Sequence, residues 1–177
     1  AVLFALGAGA KFIARTADTL QKHLPVILLE ANRYKGAALV EIYPNCIVYN
    51  DDAWGGLADK KKTDDMTVKA VHGEPLLFGK NNEKGLRFNE STDSFDVIDV
   101  DDSNRDSVSI HDKTHVNRAS ALARLADPVV LGVLYEEPGQ YYNSSLNDSV
   151  PYHRISRDDL QALVSHGAIA MSGTRGD

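Results

Sequence analysis

Lys11-Phe12-Ile13-Ala14-Arg15, the segment Thr16 to Gly36, and Ala37-Ala38-Leu39-Val40-Glu41-Ile42-Tyr43 together decide the fold. The first run is a short, largely apolar strand. After it Leu20, Leu24, Ile27, Leu28 and Ala31 recur at the spacing of one helix face. Thr16 or Asp18 is placed to cap that helix, and Gly36 to stop it. Pro25 removes a backbone donor, so the helix either kinks there or starts late. The third run is apolar and partly β-branched, and Pro44 ends it. Strand, helix, strand predicts two parallel strands joined by a right-handed crossover. In open parallel sheets ligands sit beyond the carboxyl ends of the strands. That rule places Asn45, Cys46 and residues 47–52 at the ligand edge.

Working outward, 177 residues is about one domain's worth of chain. Lys plus Arg number 19 against 25 Asp plus Glu, a formal net charge of -6, which excludes a generally basic nucleic-acid binder. The single cysteine, Cys46, excludes a disulfide scaffold and any cysteine-built metal or iron–sulfur site made from this chain alone. No apolar run is long enough to suggest a membrane span. The opening AVLFALGAGA has the apolar character of a signal peptide but no basic stretch before it, so that reading is rejected. Residues Ala1 to Leu6 are apolar on every face, and the expectation is a buried element in a chain that opens inside a fold. The terminal Arg175-Gly176-Asp177 is an integrin-binding tripeptide elsewhere, but three residues match by chance too easily to use.

Three segments are expected: an α/β part over 1–50, a mobile loop over 51–68, and a mixed α+β extension over 69–177. The loop reading rests on clustered charge, Asp59 to Lys62 with Asp64 and Asp65, and on Gly55 and Gly56. Beyond it, Glu74 to Gly79 and Leu86 to Phe88 flank a turn and read as a hairpin with a long loop. Phe95 to Val100 continues the strand character. Ala119 to Ala126 reads as a helix ended by Pro128, and Val129 to Tyr135 as a buried strand. Ser156 followed by Asp158 and Asp159 opens a last helix, with a serine cap and acids in its first turn.

The motifs carry less. Gly7 to Lys11 hints at a phosphate loop but lacks its spacer and ending; close packing of small residues explains it better. His111 and His115 have zinc-peptidase spacing, but Asp112 stands where the general base would be Glu; surface histidines near a helix start are the preferred reading. The acids from Asp99 to Asp106 lack the glycine and final Glu of a calcium loop. Cys46 has three readings: a small buried hydrophobe, a nucleophile, or one ligand of a cluster whose other ligands lie outside this chain. The residues alone keep the structural reading ahead.

Ala5 to Thr16, Gln21-Lys22-His23-Leu24, Val40 to Cys46 with Tyr49-Asn50-Asp51, and His72 to Leu76 with Phe78-Gly79 together resemble the β subunit of 2-oxoacid:ferredoxin oxidoreductases, the 2-oxoglutarate type most closely. The resemblance implies the C-terminal part of a thiamine-diphosphate-binding parallel-sheet fold, followed by the small mixed extension. It implies an oxidoreductase that decarboxylates a 2-oxoacid, passes electrons singly through a [4Fe-4S] cluster to ferredoxin, and delivers the acyl group to coenzyme A. Thiamine diphosphate and Mg2+ are its further cofactors. Cys46 is implied as a metal ligand in the cluster, and Asn45, Asn50 and Asp51 as neighbours of cofactor or cluster. No catalytic residue is carried over. The implied partners are an α subunit, a second β subunit and ferredoxin, with no nucleic acid and no membrane, in the cytoplasm. The family's Gly-Asp-Gly motif and other cluster cysteines lie upstream of the matching segment, so the isolated chain is expected to be inactive. The alternative is a subunit-interaction domain in which Cys46 is purely structural.

Overall fold

The computed structural model describes residues 1–45, 48–49, 60–141, 144 and 156–165. The chain divides into two compact units, Ala1–Tyr141 and Tyr142–Asp177. In the first, helix α1 (Val2–Gly7) leads into strand β1 (Phe12–Ala17), helix α2 (His23–Arg33) and strand β2 (Leu39–Tyr43). The expected parallel pair is present, with Ile13 opposite Leu39 and Ala17 opposite Tyr43. Pro25 is the third residue of α2, inside the first turn where backbone donors lack intrahelical partners, so the helix starts late and does not need to kink. Thr16 and Asp18 do not cap it. The cap is Lys22, with no side-chain bond, because Thr16 is spent within β1 and Asp18 accepts a bond from Asn45.

Two further strands complete that sheet, in the order β2-β1-β7-β3. Strand β3 (Thr67–Ala70) and strand β7 (Val129–Glu136) run parallel to each other, and β7 runs antiparallel to β1 with a register shift between Ile13 and Ala14. The sheet is therefore mixed, and strands from both sides of residue 50 build it. Residues 51–59 of the expected loop lie outside the described residues. Lys60–Met66 form a helix, α3, and Thr67 already belongs to β3. Here tertiary contact overrides a polar composition: Thr63 is buried, and the Thr67 hydroxyl donates to its carbonyl at 2.7 Å.

A second sheet is an antiparallel meander of β4 (Leu77–Phe78), β5 (Lys84–Asn89) and β6 (Ser94–Asp99). Phe88 and Phe95 are paired across it, their rings 5.1 Å apart and edge to face. Helix α4 (Val116–Arg124) buries Ala119, Ala121 and Leu122. The largest core cluster joins the two sheets, with Val2, Ile13 and Leu134 from one side and Leu86 and Phe95 from the other, around Leu122. On the opposite face of the first sheet, Ile27 of α2 packs on Phe12, Ala14 and Val133.

Two expectations change. Of the apolar start, Val2 is buried but Phe4 is 84% exposed. His111 is not a surface residue: it is 2% exposed, with Nε2 bonded to the Val133 carbonyl at 2.8 Å. Burial holds its imidazole below the ordinary histidine pKa, so it is a core histidine in its neutral form at pH 7. Both histidines precede α4, which starts at Val116.

In the second unit, helix α5 (Arg157–Ser165) has the expected cap. The Asp159 amide donates to Ser156 Oγ at 3.1 Å, and the Ser156 amide donates back to the Asp159 carboxylate at 3.3 Å. Among the described residues no helix is long and apolar enough to cross a membrane.

Candidate functional site at the carboxyl edge of the parallel strands

The carboxyl ends of β1 and β2 are tied together twice. The Asp18 amide donates to the Tyr43 carbonyl at 3.1 Å, and the Asp18 carboxylate accepts the Asn45 amide at 3.0 Å. These bonds fix where the chain leaves the sheet, and they place Asn45 at the edge that the strand order predicts. Cys46, Asn50 and Asp51 lie outside the described residues.

Just inside that edge is a buried cation. Arg15 is 4% exposed and stands opposite Glu41 in the strand register. Its Nε donates to Glu41 Oε2 at 2.7 Å, and its Nη2 donates to the Ala123 carbonyl of α4 at 3.5 Å. The guanidinium carbon lies 5.4 Å from the centre of the Tyr43 ring. Nη1 is buried with no partner among the described residues. Burial alone would raise Glu41, but the hydrogen bond and charge of Arg15 outweigh it and hold the carboxyl below its usual range. Burial pushes the Tyr43 hydroxyl up. At neutral pH the group is therefore an ion pair beside a neutral phenol.

On the other face of β1, the buried Thr16 hydroxyl bonds His23 Nδ1 at 2.8 Å. Burial, and then the charge of Lys69, lowers the His23 pKa, which favours the neutral ring. The two strands thus present a rigid edge with an ion pair on one face and a hydroxyl–imidazole pair on the other.

Sequence reasoning placed Asn45 but missed Arg15, Glu41 and Asp18. A signal for the pair exists. Arg15 and Glu41 are charged residues inside otherwise apolar strands, each two residues before the strand's last residue. Parallel strands in register bring such positions face to face.

With this geometry in hand, the fold has a solved counterpart: the architecture matches part of the fold of a 2-oxoacid oxidoreductase. It aligns with a 2-oxoglutarate:ferredoxin oxidoreductase from Magnetococcus marinus, solved with 2-oxoglutarate, coenzyme A and succinyl-CoA bound, at a TM-score of 0.53 and 14% identity, over 93% of this chain and 43% of that one. In sequence, the chain is homologous to the 2-oxoglutarate oxidoreductase subunit KorB of Mycobacterium tuberculosis, 32% identical over 176 residues, covering 94% of this chain and 46% of the relative. The chain thus spans about half the length of the curated relative it matches. No protein-family model matches it.

Proposed function

We propose that the chain is part of the β subunit of a 2-oxoglutarate:ferredoxin oxidoreductase, which converts a 2-oxoacid and coenzyme A to an acyl-CoA and passes the electrons to ferredoxin. The observation that carries this reading is the homology to a 2-oxoglutarate oxidoreductase subunit over 94% of the chain. Thiamine diphosphate with Mg2+ supplies the decarboxylation chemistry when bound, and a [4Fe-4S] cluster carries electrons one at a time. The donor set of this chain fits one corner of such a cluster. Its single cysteine, Cys46, is a soft thiolate suited to iron, and the remaining thiolates come from outside these 177 residues.

The residues of this chain hold and orient. Asp18 clamps the backbone at Asn45, while Arg15 and Glu41 lock the ends of β1 and β2 beneath it. On this reading the clamp holds Asn45 beside the cofactors, Cys46 is a cluster ligand, and Asn50 and Asp51 are neighbours of cofactor or cluster. The assembly contains an α subunit and a second β subunit, works in the cytoplasm, and leaves the isolated chain inactive. A second reading, a subunit-packing role with Cys46 structural, draws on the exposed apolar side chains Phe4, Val26, Leu28 and Leu29.

The test is Cys46→Ser in the full β subunit co-expressed with its α subunit. Iron per β subunit and viologen reduction with 2-oxoglutarate and coenzyme A are both expected to fall. Unchanged iron and unchanged reduction favour the packing reading.

A further inference from the structure

Two of the described clefts that hold lysines match each one to an acid. Beside a cleft of about 200 Å3, Lys11 pairs with Glu137 at 3.1 Å. Beside a cleft of about 260 Å3, Lys113 pairs with Glu136 at 2.6 Å. A third cleft, of about 350 Å3 at the start of α2, departs from this. Its walls are Thr19, Leu20, Gln21, Lys22, His23 and Lys69, with no carboxylate among them. Neither Lys22 nor Lys69 forms an ion pair among the described residues. The chain has a formal net charge of -6, yet this cleft is lined by two lysines and no acid.

The helix terminus is not what makes this a site. The His23 and Leu24 amides both donate to the Leu20 carbonyl at 2.9 Å, so recognition falls to side chains. His23 also lines the second cleft, so one imidazole is the shared wall of both. With Nδ1 taken by Thr16, Nε2 is the ring's remaining hydrogen-bonding atom. Beyond His23 the second cleft is lined by Val26, Ile27, Ala70, Val71, Gly132 and Val133, and by the polar Glu30, His72 and Lys113. The paired clefts therefore offer two lysines at one end and, at the other, a surface on which aliphatic side chains outnumber the polar Glu30, His72 and Lys113.

We infer that this pair of clefts binds a phosphate monoester, its phosphate between Lys22 and Lys69 and its apolar body beyond His23. A phosphate monoester carries roughly -1.5 to -2 charges at pH 7, which two lysines neutralise. His23 contributes Nε2, which donates in the tautomer whose Nδ1 accepts from the Thr16 hydroxyl. A bound dianion beside it raises its pKa, opposing the present effects of burial and Lys69. This goes beyond the proposed function, and none of its readouts uses ferredoxin reduction.

The test titrates the full chain with phenyl phosphate, inorganic phosphate and succinate, following the His23 imidazole by NMR and binding by calorimetry. Phenyl phosphate is expected to bind at one site, more tightly than inorganic phosphate or succinate, and to raise the His23 pKa. The Lys22→Gln/Lys69→Gln double variant is expected to weaken it by about tenfold or more, the scale of losing one charge-assisted bond. Both lysines are exposed, so an unchanged thermal midpoint checks the fold. Absence of saturable binding overturns the inference. So does binding indifferent to the double variant, or succinate or free phosphate binding as tightly as the ester.

Discussion

In the four-stranded sheet, β7 is buried from Val129 through Tyr135, whereas in the meander Phe95 of β6 is buried and Val97, two residues on, is 47% exposed. The first sheet is covered on both faces, by α2 on one side and by α1 and α4 on the other. The second is covered unevenly: Leu86 and Phe95 are buried, while Val97, on the same face as Phe95, and the charged Arg87 and Asp99 are exposed. Where the first sheet is covered, side chains have little room to shift and a buried charge such as Arg15 needs a partner. The meander tolerates substitution on its uncovered positions. The candidate site sits on the intolerant sheet, where rigidity positions groups well.

The sharpest way to break this contrast is Leu134→Ala, which removes a side chain with 0% exposure and should cost about 2–5 kcal/mol in urea unfolding. A small cost would mean the sheet's core relaxes as easily as the meander. Next comes Arg15→Ala, expected to cost about 2–3 kcal/mol, because it removes two bonds and leaves Glu41 only the amino group of Ala1 as an ion partner; this discounts the range for fully buried pairs, as Glu41 keeps some solvent contact. The double variant Arg15→Met/Glu41→Leu should recover most of that loss. Gly132→Ala is expected to cost about 1–3 kcal/mol from backbone strain alone. Gly132 has φ +126, and a Cβ there would collide with the Ala70 carbonyl oxygen of β3.

Acid should act on the same sheet. His111 is neutral in the fold, with its pKa depressed by burial, while the unfolded imidazole titrates near 6.5. Unfolding therefore takes up a proton below about pH 6.5; this stability is present above that pH and is lost as pH falls toward the folded pKa. The urea midpoint should drop between pH 7.5 and 5.5, and His111→Gln should flatten the slope, leaving a smaller part from His23. The smallest effect belongs to the meander: Val97→Thr should stay within about 0.5 kcal/mol of the parent.

The parts legible in sequence were the local ones. The strand–helix–strand unit, the long-loop hairpin, α4 and the Ser156 cap all announce themselves within a dozen or so residues, through spacing, turn residues and caps. The place of β7 does not. Val129 to Tyr135 reads as a buried strand, yet nothing within it says that its neighbours are β1 and β3. That choice belongs to contacts made across the whole chain. α3 was hidden for the opposite reason: six polar residues and a closing methionine carry no apolar period, and one buried threonine anchors them. At the site, Asn45 followed from the strand order alone. The Arg15–Glu41 pair needed the register, and the lysine-walled cleft needed β3 brought beside α2.

The central position of β7 also sets an order of assembly. β1 is complete by residue 17 and β3 by residue 70, but the strand that joins them ends only at residue 136. During synthesis β1 waits with one open edge through more than a hundred further residues, a template for pairing with other chains. A product halted near residue 127 would hold both halves of the sheet and lack the strand that joins them. Ribosome-bound chains of that length should therefore be the form most dependent on chaperones, and release of β7 the moment when that dependence ends.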